Sequence, residues 1–321
     1  MPFVRTVMSD IDPGELGPTY CHEHLLTSPG RGVTQGSDDL VLDDPAKAAR
    51  ELADFGAAGG AGLVEATAPE FGRDPVGLRA LSQQTGLHII ATTGHVAEAY
   101  WRGVLDLDHV SEDEMTENFV RELVEGVGAT GVRAGIIKAG SSLNEITPTE
   151  RRVLRAAAAA QRATGASITT HTTAGTQAMD QVAVLEAAGA NLARVCIGHV
   201  DRRLVWDEHL ELVRTGVYLG YDQISKDKYE PDHRRAEFIA RLCEAGFGDR
   251  ICLSGDLARR SYLRAWGGGP GYAYILEGFM ALLATVGLDA HERRRLLVEN
   301  PARLLTWEQR TSEVDGIGSE G

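Results

Sequence analysis

The chain has 321 residues, of which 43% are hydrophobic and 24% charged, and its formal net charge at pH 7 is -14. A chain of this length can bury a large core, and its acidic balance excludes a nucleic-acid partner, because binding to phosphate backbones needs a basic footprint. The four cysteines lack CxxC spacing, no signal segment precedes the first motif, and no apolar run is long enough to span a membrane. We therefore expect a cytoplasmic protein with no membrane partner.

Segments typical of strands and helices alternate along the chain. Short runs rich in β-branched residues are followed by longer segments that begin with helix-start signals and end near glycine. The predicted strands are 19–26, 62–67, 88–93, 133–139, 167–171, 194–199, 217–221 and 250–256. The predicted helices after them are 44–52, 74–85, 111–127, 147–163, 174–188, a segment ending at 216, 231–244 and 273–286.

The helix starts have identifiable chemistry. Asp44 is predicted to accept hydrogen bonds from the first free amides of its helix, and Pro45 already has a helical φ. Thr147 and Glu150 form a capping box around Pro148, ahead of an alanine-rich run.

Eight strand-then-helix units without a break in composition predict a parallel sheet. Eight such units close naturally into one α/β domain, a single (β/α)8 TIM barrel, and the alternative is a doubly wound open sheet. We expect the barrel to span 17–305 within one domain, 1–307, and the polar tail 308–321 to be disordered.

The stretch Cys21-His22-Glu23-His24 places two imidazoles on the same side of a strand, because successive side chains alternate between faces. Taken alone, the pair is also compatible with two half-buried histidines. Further ligand-type residues, however, end other predicted strands, where barrels of this class place their catalytic side chains. The candidate metal ligands are His22, His24, Lys138, His171, His199 and Asp256.

These motifs, with their order and spacing, carry a resemblance over nearly the whole chain. The sequence resembles the phosphotriesterase family of the amidohydrolase superfamily. The motifs are Cys21-His22-Glu23-His24, Ile137-Lys138-Ala139-Gly140, Thr170-His171-Thr172, Ile197-Gly198-His199-Val200-Asp201, Ser254-Gly255-Asp256 and Glu299-Asn300-Pro301-Ala302. A separate pattern, Lys226-Asp227-Lys228-Tyr229 with Asp256, Arg259 and Tyr262, looks like the branch of this family that opens phosphorylated sugar lactones, and relatives that act on N-acyl amino acids share parts of that pattern.

The resemblance implies a binuclear metal centre. His22, His24 and Asp256 would hold one ion, His171 and His199 the other, and a carbamylated Lys138 would bridge both. A lysine ammonium beside two dications would be repelled, whereas a carbamate formed with CO₂ is an anion with two oxygens. Zn²⁺ is the expected metal, and Mn²⁺, Co²⁺ and Fe²⁺ suit the same donors.

A bridging hydroxide would then attack the scissile carbon or phosphorus, and catalytic Asp256 would carry the proton toward the leaving group. No nucleophilic serine or cysteine is required.

Substrate binding is predicted at the loops after strands seven and eight, a frequent phosphate site in such barrels. Lys228, Arg259 and Tyr262 are the candidate residues for an anionic small-molecule substrate. Whether Lys226 or Lys228, and Arg259 or Arg260, faces the site stays open. Surface cations paired with nearby carboxylates are the alternative interpretation.

The leading hypothesis is a metal-dependent lactonase acting on a phosphorylated or otherwise anionic sugar lactone. The alternatives are hydrolysis of an N-acyl amino acid or a phosphotriester on the same centre, and a metal-stabilised barrel that only binds a ligand. Val96 stands where related acyl-homoserine lactonases carry tyrosine, and Gly255 stands where many relatives carry histidine. Both differences count against acyl-homoserine lactones and organophosphate triesters as substrates. A homodimer is compatible with the sequence.

Overall fold

A computed structural model of the chain describes residues 1–307, so the predicted disordered tail 308–321 lies outside the described residues. The strands are β1 (Phe3–Arg5), β2 (Asp10–Ile11), β3 (Thr19–Glu23), β4 (Gly62–Glu65), β5 (His88–Gly94), β6 (Ile136–Ser141), β7 (Ser167–Thr172), β8 (Val195–Ile197), β9 (Tyr218–Tyr221), β10 (Ile251–Leu253) and β11 (Thr306–Trp307). The α-helices are α1 (Arg31–Thr34), α2 (Pro45–Ala57), α3 (Pro75–Thr85), α4 (Glu98–Trp101), α5 (Glu112–Val124), α6 (Pro148–Thr164), α7 (Ala178–Ala187), α8 (Trp206–Arg214), α9 (Asp232–Glu244), α10 (Met280–Thr285), α11 (Ala290–Arg294) and α12 (Asn300–Leu305).

The eight strands β3 to β10 form one parallel sheet in which each strand pairs with its neighbour in chain order. Helices lie between successive strands, so the architecture is the predicted (β/α)8 barrel, and the open doubly wound sheet is wrong. Apolar side chains between the sheet and the helices form one large buried cluster. Within residues 1–307, no helix is long and apolar enough to cross a membrane.

The first and last barrel strands meet through side chains as well as through the backbone. The Asp256 amide donates to the His22 carbonyl oxygen at 3.1 Å, and the His22 amide donates to Ser254 Oγ at 3.1 Å. The carboxylate of Glu23, which is fully buried, accepts from the amides of Gly255 at 2.6 Å and Leu257 at 2.9 Å. This contact joins β3 to the segment after β10.

The predicted helix starts are confirmed. Asp44 Oδ1 accepts from the amides of Ala46 at 3.0 Å and Lys47 at 3.1 Å. Thr147 and Glu150 form a reciprocal capping box at the start of α6. These local signals depend on a few adjacent residues, which is why they can be read without knowing the tertiary structure.

Several predicted boundaries differ from the structure. The first predicted strand, 19–26, ends at Glu23, and the eighth, 250–256, ends at Leu253, before a loop in which Asp256 has a left-handed φ of 46°. The predicted helix 273–286 begins with a π-helical turn over Ile275–Phe279. A three-stranded antiparallel sheet, β11-β1-β2, was not predicted, because its two- and three-residue strands pair the two ends of the described chain.

Gly94 ends β5 at the position that pairs with Lys138 in β6. Its φ is 95°, and a Cβ atom added there would overlap the carbonyl oxygen of Lys138. Glycine is therefore required both by the backbone conformation and by the close approach of β6. Gly86, which ends α3 with a φ of 74°, has no neighbouring atom within 4 Å of its added Cβ.

We predict that Gly94→Ala lowers the free energy of unfolding by about 3 kcal/mol or more, because left-handed strain and backbone overlap add together. Gly86→Ala is the matched control, because it introduces left-handed backbone strain without overlap with a neighbouring atom. It should lower the free energy of unfolding by only about 1 kcal/mol. Urea denaturation of both variants measures the difference. Equal losses would mean that the close approach to Lys138 contributes nothing.

Candidate metal centre and active site

A cavity of about 280 Å³ opens at the C-terminal ends of the barrel strands. All six candidate metal ligands line it: His22, His24, Lys138, His171, His199 and Asp256. They come from β3, β6, β7 and the segments after β3, β8 and β10. The barrel therefore brings together side chains that are distant in sequence. His22 and Asp256 are as far apart along the chain as Glu23 and Leu257, which are 234 residues apart and joined by a hydrogen bond.

The two histidines of the first motif reach different partners. His22 Nε2 lies 2.8 Å from Lys138 Nζ, and Lys138 is 1% exposed. His24 lies just beyond β3, where its Nδ1 is 2.8 Å from Thr67 Oγ1 and its Nε2 is 3.1 Å from Asp256 Oδ1. Both imidazoles thus present Nε2 to the cavity.

His171 and His199 form the opposite side of the centre. His171 Nδ1 and His199 Nε2 are 2.8 Å apart, and the His171 ring meets Tyr100 edge-on at a centroid distance of 5.6 Å. His199 has a left-handed φ of 60°, which is uncommon for a residue other than glycine. Asp256 shares this feature, and such strain is frequently concentrated at functional sites.

Asp222 is a buried residue of the site that the sequence did not indicate. Its Oδ1 lies 2.6 Å from His199 Nδ1, its Oδ2 lies 3.3 Å from His22 Nδ1, and it accepts from the His199 amide at 2.9 Å. Asp222 accepts from His199 Nδ1, and its position 3.3 Å from His22 Nδ1 favours the same tautomer there, with both Nε2 lone pairs directed to the cavity. Its position directly after β9 was the one available signal, since strand ends carry the catalytic groups in this fold.

A buried ion network holds the segment that contains Asp222. Asp201 accepts from the Gln223 amide at 3.0 Å and from Arg235 Nε at 2.9 Å. Arg235, which is fully buried, also pairs with Asp232 at 3.0 Å. Asp232 in turn accepts from the Ser225 amide at 3.0 Å, so residues on both sides of Ile224 are fixed.

Lys226 faces the candidate metal ligands, and Lys228 is exposed beside the cavity. Lys226 Nζ donates to Asp256 Oδ2 at 2.8 Å and to the Asp256 carbonyl oxygen at 2.6 Å, and Gln223 Nε2 donates to Oδ2 at 2.8 Å. The exposed Lys228 instead donates to the Tyr262 hydroxyl at 2.6 Å. The structure thus separates the two lysines that the sequence left undecided.

Arg259 and Arg260 point to different surroundings. Arg259 lines the cavity and pairs with Asp39 of the loop before α2 at 3.2 Å. Arg260 contacts the Val41 carbonyl oxygen at 2.6 Å and Asp43 at 2.8 Å and does not line the cavity. Of the three candidate substrate-binding residues, Arg259 and Tyr262 line the cavity, and Lys228 reaches it through Tyr262.

Burial and nearby charges set the protonation of these groups. Burial, with the charge of Lys138, lowers the pKa of His22 to about 3, and burial lowers the pKa of Lys138 to about 8. Burial would raise the pKa of the Asp222 carboxyl, but His199 and His22 hold it well below its usual range. Burial would also raise the pKa of the Asp256 carboxyl, but Lys226 and His24 keep that pKa well below its usual range. Neutral imidazoles and ionised carboxylates are the forms that bind metal ions.

The donor set fits divalent cations. Ligand atoms of His22, His199 and Asp256 lie within 4.8 Å of one another, which is close enough for them to belong to one metal centre. Imidazole nitrogens and carboxylate oxygens without thiolate suit Zn²⁺ and neighbouring divalent metals. The three buried cysteines Cys21, Cys196 and Cys252 form a separate interior cluster with Tyr218 and Leu304.

Other residues that line the cavity were not predicted from the sequence to do so. Arg202 follows His199 by three residues, and Tyr229 follows Lys228, and both line the cavity. An apolar wall is formed by Val33, Leu40, Ala66, Ala68, Phe71 and Val96. These side chains come from the segments after β3, β4, β5, β8 and β9, so no local spacing in the sequence marks them as a group.

Comparisons with known proteins agree with this architecture. The phosphotriesterase family matches the chain over residues 2–305. The chain is similar to the crystal structure of the lactonase Lmo2620 from Listeria monocytogenes, with a TM-score of 0.92 and 34% identity over 96% of this chain and 100% of that one.

Two curated relatives carry different activities in their names. The chain is 32% identical to a phospho-furanose lactonase from Mycoplasmopsis synoviae (strain 53), over 96% of this chain and 93% of the relative. It is 30% identical to an N-acetyltaurine hydrolase from Mus musculus, over 95% of this chain and 98% of the relative. Both are hydrolases, and they differ in the bond they cleave.

We predict that Asp222→Asn weakens metal binding by about 10- to 100-fold, because an amide no longer fixes both histidines with Nε2 toward the cavity. Zinc affinity measured by competition with a chelator checks this. Asp207→Asn, on the exposed side of α8, is the control and should leave the affinity unchanged. An unchanged affinity in the Asp222 variant would contradict the orienting role.

Proposed function

The chain belongs to the phosphotriesterase family. We propose that it is a hydrolase with two divalent metal ions and that it opens a lactone bearing a phosphate or a comparable anion. The observation that carries the proposal is the composition of one cavity. It combines six ligand-type side chains with Arg259 and Tyr262 on a neighbouring wall. A reactive carbonyl and a terminal anion therefore have separate places within about 280 Å³.

In the proposed centre, His22, His24 and Asp256 would hold one ion, His171 and His199 would hold the other, and Lys138, as a carbamate, would be a ligand to both. Two bound cations, Zn²⁺ by preference, would bring the pKa of a shared water close to neutrality and stabilise the negative charge that develops on the substrate oxygen. The position of Asp222 behind His22 and His199 supports this assignment, because a histidine that binds a metal through one ring nitrogen commonly donates the N–H of the other to a carboxylate.

Lys138 is suited to carbamylation by its surroundings. It is buried, its Nζ contacts His22 Nε2, and burial favours the neutral amine, which is the reactive form. The amine nitrogen would form a bond to the carbon of CO₂ and release one proton. The product is an anion, which removes the repulsion between an ammonium and two nearby cations.

Asp256 is the proposed proton carrier. Its Oδ1 faces His24, while its Oδ2 accepts from Lys226 and Gln223, so the carboxylate is held in one orientation. It would take the proton of the attacking water and pass it to the leaving oxygen of the opened ring. Tyr100 and Phe71, which stack edge-on at 5.7 Å, border the same volume and reduce its contact with solvent.

The anion is proposed to lie against Lys228, Arg259 and Tyr262. The Arg259 side chain is pre-positioned by Asp39, whose carboxylate also accepts from the Ser261 amide at 2.9 Å. Lys228 and Tyr262 are already joined by a 2.6 Å hydrogen bond. The relative named a phospho-furanose lactonase supports a phosphorylated lactone as the substrate.

A second candidate function is hydrolysis of an N-acyl amide that carries an anion. The apolar wall, which includes Val33, Leu40 and Phe71, suits an acyl group beside the metal ligands. The relative named an N-acetyltaurine hydrolase supports this alternative. Amide and lactone carbonyls react with the same nucleophile, so the preference depends on the shape of the cavity and on the leaving group.

We predict that Lys138→Ala loses at least one of two metal equivalents and about 100-fold or more of the turnover, because the bridging anion is removed. Metal analysis and a lactone assay measure the two effects. Added CO₂ with a short-chain carboxylic acid should restore part of both. Lys47→Ala, in α2, is the control, and full occupancy in the Lys138 variant without any rescue would disprove the bridge.

We predict that Arg259→Ala raises KM for a phosphorylated furanolactone by about 10-fold or more, with little change in kcat, because a charge-assisted contact to the phosphate is lost. The unphosphorylated lactone should be nearly unaffected. Arg260→Ala is the matched control, since its side chain lies outside the cavity. Equal losses on both lactones, or a parent protein that prefers the uncharged one, would overturn the anion assignment.

A further inference from the structure

The cationic side chains that line the cavity differ in their partners. Lys138 contacts His22, Lys226 contacts Asp256, and Arg259 pairs with Asp39. Arg202 is different: within residues 1–307, its side chain makes no hydrogen bond, and no carboxylate lies within ion-pair distance. A guanidinium at a cavity wall with its donors unused is suited to an anion that comes from outside the chain.

Arg202 is held in place by stacking on an aromatic ring. Its guanidinium carbon lies 4.0 Å from the centre of the Tyr229 ring. It ends the short turn Val200–Arg202, which begins directly after His199. The position of Arg202 is therefore coupled to that of a candidate metal ligand, and the ring contact restricts the side chain without using its N–H donors.

Tyr229 belongs to an arc of alternating cations and aromatic rings. Lys228 Nζ lies 4.8 Å from the centre of the Tyr229 ring and 2.6 Å from the Tyr262 hydroxyl. We call Arg202, Tyr229, Lys228 and Tyr262 the cationic arc. None of the ion pairs found among residues 1–307 joins a carboxylate to either cation of the arc, whereas Arg259 pairs with Asp39 at 3.2 Å.

We infer that Arg202 is a substrate-binding residue that holds a phosphate monoester group on the substrate together with Lys228 and the Tyr262 hydroxyl. The inference rests on the proposed function for the kind of substrate, and it adds a residue outside the predicted set of Lys228, Arg259 and Tyr262. A phosphate dianion on the arc would meet two unpaired charges, while at Arg259 it would compete with Asp39. Arg202 therefore makes the larger contribution to anion selectivity, and Arg259 the smaller one.

The test is a cycle in which both the protein and the ligand are changed. The ligands are 1,4-anhydroribitol 5-phosphate, which has the furanose ring but no carbonyl to hydrolyse, and unphosphorylated 1,4-anhydroribitol. Their affinities for the metal-loaded parent protein and for Arg202→Gln are measured by calorimetry. Arg203→Gln is the matched control, because the neighbouring Arg203 is exposed and pairs with Glu208 at 2.9 Å outside the cavity.

We predict that Arg202→Gln weakens the phosphorylated ligand by about 10-fold or more and leaves the unphosphorylated ligand within about 2-fold. Arg203→Gln should change neither affinity. An equal change for both ligands, no change for the phosphorylated one, a larger effect of Arg259→Gln, or a parent protein without preference for the phosphate would each overturn the inference.

If Arg202→Gln loses metal, Tyr229→Leu replaces it, because that variant removes the stacking ring and leaves the turn after His199 intact. Tyr229→Leu should weaken binding of the phosphorylated ligand alone by several-fold. An unchanged affinity for that ligand would overturn the inference.

Hydrolysis of a phosphorylated furanolactone by the parent protein is measured separately. Failure of hydrolysis, with the effect of Arg202→Gln on ligand binding intact, would overturn the proposed function and leave the Arg202 site standing. Hydrolysis without that effect would overturn only the role of Arg202.

Discussion

The geometry of the active site depends on how the barrel closes, and the closing contact is the buried carboxylate of Glu23. Glu23 lies between His22 and His24, and it accepts from the amides of Gly255 and Leu257, which flank Asp256. Because side chains alternate along a strand, one set of residues joins the strands while the set between them faces the cavity. Burial raises the pKa of Glu23 to about 7, although three hydrogen bonds to the carboxylate oppose this. The interaction that joins β3 to the segment after β10 thus also fixes the spacing of three candidate ligands.

Other buried carboxylates repeat this use of backbone amides around the rim. Glu70 accepts from the Val96 amide at 2.6 Å, Glu150 accepts from the Glu98 amide at 2.9 Å, and Asp201 accepts from the Gln223 amide at 3.0 Å. Each bond ties a loop to a neighbouring strand or helix, where an unpaired amide would be costly. Some of the acidic residues that make the net charge negative are therefore buried and stabilise loops by accepting hydrogen bonds from their amides. His95 belongs to this layer, since its Nδ1 contacts Glu70 at 3.0 Å and it does not line the cavity.

The sequence predicted the barrel because its strand and helix signals are local and repeat eight times. It also predicted which side chains meet, since the strand-end rule of this fold converts His22, Lys138, His171, His199 and Asp256 into neighbours. Asp222 and Arg202 were not predicted for a common reason. Asp222 directly follows β9 and Arg202 follows His199 by three residues, but neither belongs to a motif, and the contacts that mark them are with distant elements. The sheet of β1, β2 and β11 escaped because strands this short carry no periodicity, and their pairing joins the ends of the described chain.

The division of the cavity explains how one scaffold can serve relatives with different substrates. The cavity is lined by ligand-type side chains, by Arg202, Tyr229 and Tyr262 of the cationic arc, and by a set of apolar side chains. A phosphorylated furanolactone and an N-acyl amino sulfonate share one layout, with a planar carbonyl carbon a few bonds from a terminal anion. Under the proposed function, the metal ions would act on the carbonyl group and the cationic arc would hold the terminal anion. Both substrate classes can therefore place their carbonyl group and their anion in the same two parts of the cavity. They differ at the apolar wall, because a sugar ring presents hydroxyl groups to Val33, Leu40 and Phe71, whereas an acyl chain presents methylene groups that gain free energy by leaving water. Under the proposed function, the apolar wall therefore contributes to the choice between lactone and amide, together with the leaving group that each reaction releases.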